Sequence, residues 1–184
     1  MNGMEIQKLI QVMKSKNLSV AQVVDLINGQ KTEKVIGTAF EMTFNVDYSK
    51  SIEQAITLGN YDWKDDGITA ENFPISSEMI GKKVRVTTKL FSFNHNISSA
   101  DAIDEMNEFG YRPATLMELL TLGFSFPELQ RQSTIIALGS VWCANAYARS
   151  CVPCLSAIDS MHKLNLYFFD SNWGAGCLFI GVRK

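Results

Sequence analysis

Gly110-Tyr111-Arg112-Pro113-Ala114-Thr115-Leu116-Met117-Glu118-Leu119-Leu120 is the stretch on which the fold reading turns. Gly110 supplies a stop for whatever helix precedes it, because a glycine accepts the left-handed conformation in which helices commonly end. Pro113 opens the next element, and Thr115 followed three residues later by Glu118 has capping-box spacing. The stretch therefore predicts one helix ending and another beginning within a few residues.

Working upstream, Ser98-Ser99-Ala100-Asp101 starts the first of these helices, with Ala102, Ile103, Met106 and Phe109 as its inner face. Before it, Lys83 to Phe93 reads as a strand with Val84, Val86, Thr88 and Leu90 on one face. Gly59 to Pro74 is polar and turn-rich, with Tyr61, Trp63 and Phe73 expected to anchor it onto the body. Ser49 to Leu58 predicts a short amphipathic helix burying Ile52, Ala55, Ile56 and Leu58, and Lys34 to Val46 a strand. The first thirty residues read as two short helices, one carrying Ile6, Leu9, Ile10 and Met13 and the other Val23, Val24, Leu26 and Ile27.

Downstream, Thr134 to Trp142 reads as an apolar strand interrupted by Gly139, and Leu164 to Phe169 and Cys177 to Val182 as two more. The last of these is too apolar to be a free tail, so it is expected to pair with the strand from Val84 to Phe91. Strand, helix, helix, then short strands joined by long loops is an α+β order. It contains no βαβ repeat, which argues against a parallel nucleotide-binding sheet.

The chain has 184 residues, 46% of them hydrophobic and 20% charged, with a formal net charge of -2. That composition suits a globular domain large enough to bury a core. No basic run marks a nucleic-acid surface, and neither a signal peptide nor an apolar segment of spanning length is present. The expected location is cytoplasmic or virion-associated, with no membrane or nucleic-acid partner.

All four cysteines fall in the last 42 positions, and Cys151-Val152-Pro153-Cys154 is a C-x-x-C. Structural zinc uses two close ligand pairs, whereas Cys143 and Cys177 stand alone on separate elements. A redox C-x-x-C needs its first thiol at a helix N-terminus, whereas this segment reads as loop. His95 and His162 are the only histidines, and neither lies in a nucleophile–base–acid pattern; His162 reads as a surface side chain. A zinc or thiol enzyme using Cys151 and Cys154 is the second functional reading. A viral DNA-binding regulator acting through the N-terminal helices is the third.

One compositional signal remains. Cys143 to Ser160 contains no Glu, Gln, Lys, Met or Trp, although these types exceed a fifth of the chain. At average usage roughly one such window in fifty to a hundred would lack them.

The helix entry quoted above resembles the G-x-R-x-A-T-x-x-E-L/W pattern of C-type-lectin-fold proteins of the formylglycine-generating-enzyme type. Ala137-Leu138-Gly139-Ser140-Val141-Trp142, Leu164-Asn165-Leu166-Tyr167-Phe168-Phe169-Asp170, Trp173 and Phe179-Ile180-Gly181-Val182-Arg183-Lys184 are similar to later segments of the same group. Some of its members are the hypervariable proteins of diversity-generating retroelements, microbial or viral. The likeness spans about Val84 to Lys184. Such retroelements mutate adenines in a template copy, and Asn codons randomised at their first two bases cannot yield Glu, Gln, Lys, Met or Trp. That is the set missing from 143 to 160.

The resemblance implies a compact C-type-lectin-like fold: two helices flanking a small antiparallel sheet with long irregular loops. Residues 81–184 would form that domain and residues 1–80 a helical and β extension packed on it. It implies a ligand-binding face within 143–178 for a protein or other macromolecular partner, with self-association left open. The residues it assigns to that face are Cys143, Asn145, Tyr147, Ser150, Cys151, Cys154, Ser156, Ile158, His162, Asn165, Tyr167, Phe169, Ser171, Asn172, Gly174, Ala175 and Leu178. In the strand from Leu164, alternation would turn Leu164, Leu166 and Phe168 inward and Asn165, Tyr167 and Phe169 outward, with Trp142, Trp173 and Phe179 as scaffold. The copper-site cysteine of the enzymes that share the fold maps to nothing here, and no E-P-N run for calcium-dependent sugar binding occurs. No catalytic residue, metal or cofactor is therefore carried over, and the expectation is a binding protein rather than an enzyme.

Overall fold

The computed structural model describes residues 41–144 and 149–184. The expected N-terminal helix pair, the part of the first strand before Glu41, and Asn145 and Tyr147 lie outside the described residues. The elements are β1 (Glu41–Asp47), α1 (Ile52–Gly59), β2 (Trp63–Lys64), β3 (Lys83–Ser92), β4 (Ile97–Ser98), α2 (Ser99–Glu108), β5 (Tyr111–Pro113), α3 (Leu116–Ser125), α4 (Leu129–Gln132), β6 (Ile135–Ile136), β7 (Trp142–Ala144), β8 (Arg149–Ile158), β9 (Met161–Phe168), β10 (Asn172–Trp173) and β11 (Leu178–Arg183).

Local chemistry sets the helix starts. Ser51 caps α1 in a complete capping box with Gln54, and the Ser98 hydroxyl takes the Asp101 N–H at 3.1 Å to cap α2. Thr115 and Glu118 form the capping box of α3, where the Glu118 carboxylate accepts the Thr115 N–H at 2.7 Å. Gly110 ends the α2 region with φ +78°, in the left-handed region.

The result is an α+β fold around an open, mixed sheet in the order β1-β3-β11-β6-β8-β9-β2, with β5 paired to β11 and β7 to β8. The closing strand β11 lies antiparallel to β3, Phe179 opposite Phe91 and Ile180 opposite Leu90, as the sequence predicts. It sits in the sheet interior and also touches β5 and β6. The expected small antiparallel sheet is thus larger, and it is mixed because β6 runs parallel to β11 and β2 parallel to β9.

Each sheet face carries its own core. Val46, Val86, Leu90, Ile180, Val182, Leu155 and Leu164 pack against Ile52 and Ala55 of α1 and Leu116, Leu119 and Leu120 of α3. On the opposite face Phe91, Phe179, Ile136, Val152 and Cys154 meet Ala102 and Met106 of α2, together with Tyr111 and Trp173. A residue and its neighbour in a strand point to opposite faces, so near-continuous burial along β8 and β11 follows from being covered on both sides.

Some expectations need correction. Thr134 to Trp142 is not one strand. It is β6 and the start of β7, separated at Gly139, where a Cβ would come within 2.6 Å of the Pro113 carbonyl oxygen. The segment around Cys151, expected as loop, is the ten-residue strand β8. Leu58 and Phe109, expected inside, are about half exposed at the ends of their helices, although the Phe109 ring still meets Phe91 of β3 at 6.3 Å.

Candidate binding face

The β8–β9 hairpin organises the site. Its register sets Val152 opposite Tyr167, Cys154 opposite Asn165, Ser156 opposite Lys163 and Ile158 opposite Met161. Those residues share the α2 face of the sheet. Cys151, Leu155, His162, Leu164, Leu166 and Phe168 share the other. Among the sequence-predicted residues, Cys154, Ser156, Ile158, Asn165 and Tyr167 are therefore brought onto one side.

Helix α2 and the turns around it cover only part of that side. Cys154 and Ser156 are buried, so the strand presents neither to solvent. Toward β9 and β2 the cover stops. Ile158 is 53% exposed, Tyr167 46%, Trp63 45% and Met161 42%, although large apolar side chains are normally driven under cover. Trp63 reaches this group because β2 pairs with β9 at Lys163, and the Lys163 ammonium lies 6.0 Å from the Trp63 ring centroid. Trp63, expected to anchor its segment inward, instead faces out. On the far flank of α2, the corresponding sheet surface carries Glu41, Thr43 and Asn45 opposite Lys89, Thr87 and Arg85. One uncovered flank is polar, and the other carries the exposed apolar side chains Trp63, Ile158, Met161 and Tyr167 with Lys163 and Asn165 between them.

Tyr167 and Asn165 on that flank are braced by their neighbours. The Tyr167 ring meets Trp173 edge-on at 6.0 Å, and Trp173 is buried with its indole N–H donating to Ser99 Oγ at 2.8 Å. That hydroxyl in turn donates to the Phe169 carbonyl at 2.5 Å. The Asn165 amide donates to Ser156 Oγ at 2.6 Å. Burial raises the pKa of the Tyr167 phenol, so it is a neutral donor and acceptor at ordinary pH.

The other predicted residues lie elsewhere. Cys143 is exposed on β7 opposite Ser150. Ser171, Asn172, Gly174 and Ala175 lie in or next to the turns flanking β10 and are half or fully exposed. Phe169 is partly buried against the α2 core, and Leu178 packs partly against the α1/α3 core, so neither stands free as a contact residue. Leu164 turns inward and Tyr167 outward as alternation predicts, and Leu166 packs partly against the core. Phe168 lies under the Arg149 guanidinium, 3.6 Å from its ring centroid, and Arg149 pairs with Asp170 at 2.6 Å. His162 is not a plain surface side chain. Its backbone exchanges bonds with Asp62, and its Nε2 is buried.

Cys151 and Cys154, three apart in a strand, point to opposite faces. Burial pushes both thiols up, Cys154 far more, and Cys177 as well. Among the described residues no group of three or more His, Cys, Asp or Glu side chains is placed to hold a metal ion. A concavity of about 500 Å³ lies instead between residues 48–79 and the start of α3. Its charged groups satisfy one another: Arg112 donates to Glu118 twice, at 2.6 and 3.0 Å, and the Tyr48 hydroxyl donates to the same carboxylate at 3.3 Å.

Trp63, Met161 and Lys163 are the members of the face that sequence reasoning missed. Met161 and Lys163 share the parity of Asn165 and Tyr167, so the alternation of β9 contained the signal. Trp63 lies 100 positions from its partner Lys163, and no local pattern announces that pairing. Compared with protein-family models, curated proteins and solved structures, the chain matches none.

Proposed function

We propose that this chain is a ligand-binding display protein that recognises a protein or other macromolecular partner through the α2 face of β9, β2 and the end of β8. The observation that carries this reading is the uncovered apolar flank formed by Trp63, Ile158, Met161 and Tyr167. Interfaces favour aromatic and methionine side chains, and Tyr167, braced edge-on by Trp173, loses little freedom on binding.

We further infer a C-type-lectin-like arrangement whose face is diversified by a retroelement. Supporting it are the order β3, α2, α3 and the return of β11 to β3. The five-type depletion from Cys143 to Ser160 points the same way, and Cys143, Ile158 and the exposed turn residues after Asn172 are positions where change costs the core little. The test is the surrounding DNA. A nearby reverse transcriptase and a near-repeat of the coding segment for 143–178, differing at adenines, are expected. If both are missing, diversification is withdrawn and the binding face stands on its geometry alone.

A further inference from the structure

The outer edge of β9 is only half used. Its carbonyls at His162 and Leu164 accept the N–H groups of Asp62 and Asp65, both at about 3 Å, through the segment that contains β2. After Asp65 the chain turns away, with Ile68 N–H bonded back to the Asp65 carbonyl at 3.1 Å and Gly67 N–H to the Asp65 side chain at 2.9 Å. The next outward residue of β9 is Leu166. Opposite it on β8 is Pro153, which has no N–H and gives its carbonyl to Ala137 N–H at 3.1 Å. Strand β8 therefore satisfies neither main-chain group of Leu166, and among the described residues nothing else does. Phe168 turns the same way, its carbonyl already taken by Ser171 N–H at 3.1 Å.

An unpaired strand edge is a template for another strand, and sheets usually protect such edges with proline, charge or a bulge on the edge strand itself. Here Asn165, Leu166, Tyr167 and Phe168 carry no charge, and Tyr167 stands beside the edge on the apolar flank. The first half of the edge already holds a short parallel strand of this chain, which shows that the edge accepts one.

Resting on the binding face proposed above, we propose that the partner offers an extended polypeptide segment that continues the line of β2 along Leu166–Phe168, its backbone pairing with Leu166 and its side chains on one face lying across Tyr167. Main-chain pairing would supply affinity independent of sequence, and the neighbouring apolar side chains would supply preference. A face whose side chains change then keeps one constant handle.

The experiment selects phage-displayed linear octapeptides on the full chain and measures the enriched peptides as synthetic probes. The expected result has three parts: affinity falls at least tenfold with Tyr167→Ala, exchange of the Leu166 amide slows at least tenfold when peptide is bound, and N-methylation of a central peptide amide weakens binding at least tenfold. Peptides that need Tyr167 but leave Leu166 exchange and N-methylation without effect overturn edge pairing and keep the face. Peptides indifferent to Tyr167→Ala and to Trp63→Ala overturn both. Failure to enrich any peptide overturns edge pairing, leaving a folded ligand as the occupant of the face.

Discussion

Glu118 has no exposed surface, and a buried carboxyl group is tolerated when its oxygens are engaged by partners. It takes two bonds from Arg112, one from Tyr48 and two from Thr115. Arg112 is held the more firmly in its charged form by those bonds. Glu118→Gln leaves the guanidinium short of its partner, and because water reaches the 41% exposed Arg112 side chain the expected loss is about 1–3 kcal/mol in a urea titration. Tyr48 and Tyr61 respond to base. Burial pushes the Tyr48 phenol up to about 12 and the Tyr61 phenol up as well. Both stay protonated in the folded chain after the unfolded phenols, near pH 10, have ionised. Stability contributed by their neutral forms is full below pH 10 and is lost as pH rises toward 12, by about 1.4 kcal/mol per pH unit for each group. The urea midpoint should fall across that window, less steeply in Tyr48→Phe. The thiols give a simpler reading at pH 8. Cys143 should react first with a thiol reagent, Cys177 more slowly, and Cys151 and Cys154 at the rate of unfolding. A fast Cys154 would contradict its placement.

At the scale of elements, Gly139 and the hairpin show where the fold is decided. A Cβ at Gly139 would sit 2.6 and 2.7 Å from the carbonyl oxygens of Pro113 and Ala114, and backbone does not move aside as a side chain does. Gly139→Ala is expected to cost about 1–3 kcal/mol by thermal or urea unfolding. Helices α1, α2 and α3 were legible in the sequence because their signals are local, whereas the one-turn α4 was not. Ser98 with Asp101, and Thr115 with Glu118, announce their starts within four residues. Strand β3 was legible from its β-branched alternation, and its pairing with β11 from the apolar character of the closing segment. Strand β8 was not. Covered on both faces, it shows no alternation, and its serines, cysteines and proline resemble loop composition. The binding face was half legible. Asn165 and Tyr167 announce themselves by parity, whereas Trp63 arrives through a two-residue parallel pairing that no periodicity encodes.

For the molecule as a whole, the sheet is dressed unequally. Both faces are packed in the middle, one free flank is polar, and the other exposes Trp63, Ile158, Met161 and Tyr167. Ile158→Thr combined with Met161→Lys should therefore lower binding of a hydrophobic dye and reduce light scattering at high salt, with the thermal midpoint shifted by less than about 2 °C. A large fall in the midpoint would mean that those side chains belong to the core. The strand that joins the sheet together, β11, contacts β3, β5 and β6 at once. It is also synthesised after all of them, so on the ribosome the two halves of the sheet wait, with apolar edges bare, for a strand not yet made. Such a chain depends on being shielded until β11 has emerged, and a premature stop before Leu178 is expected to yield aggregate rather than a smaller working protein.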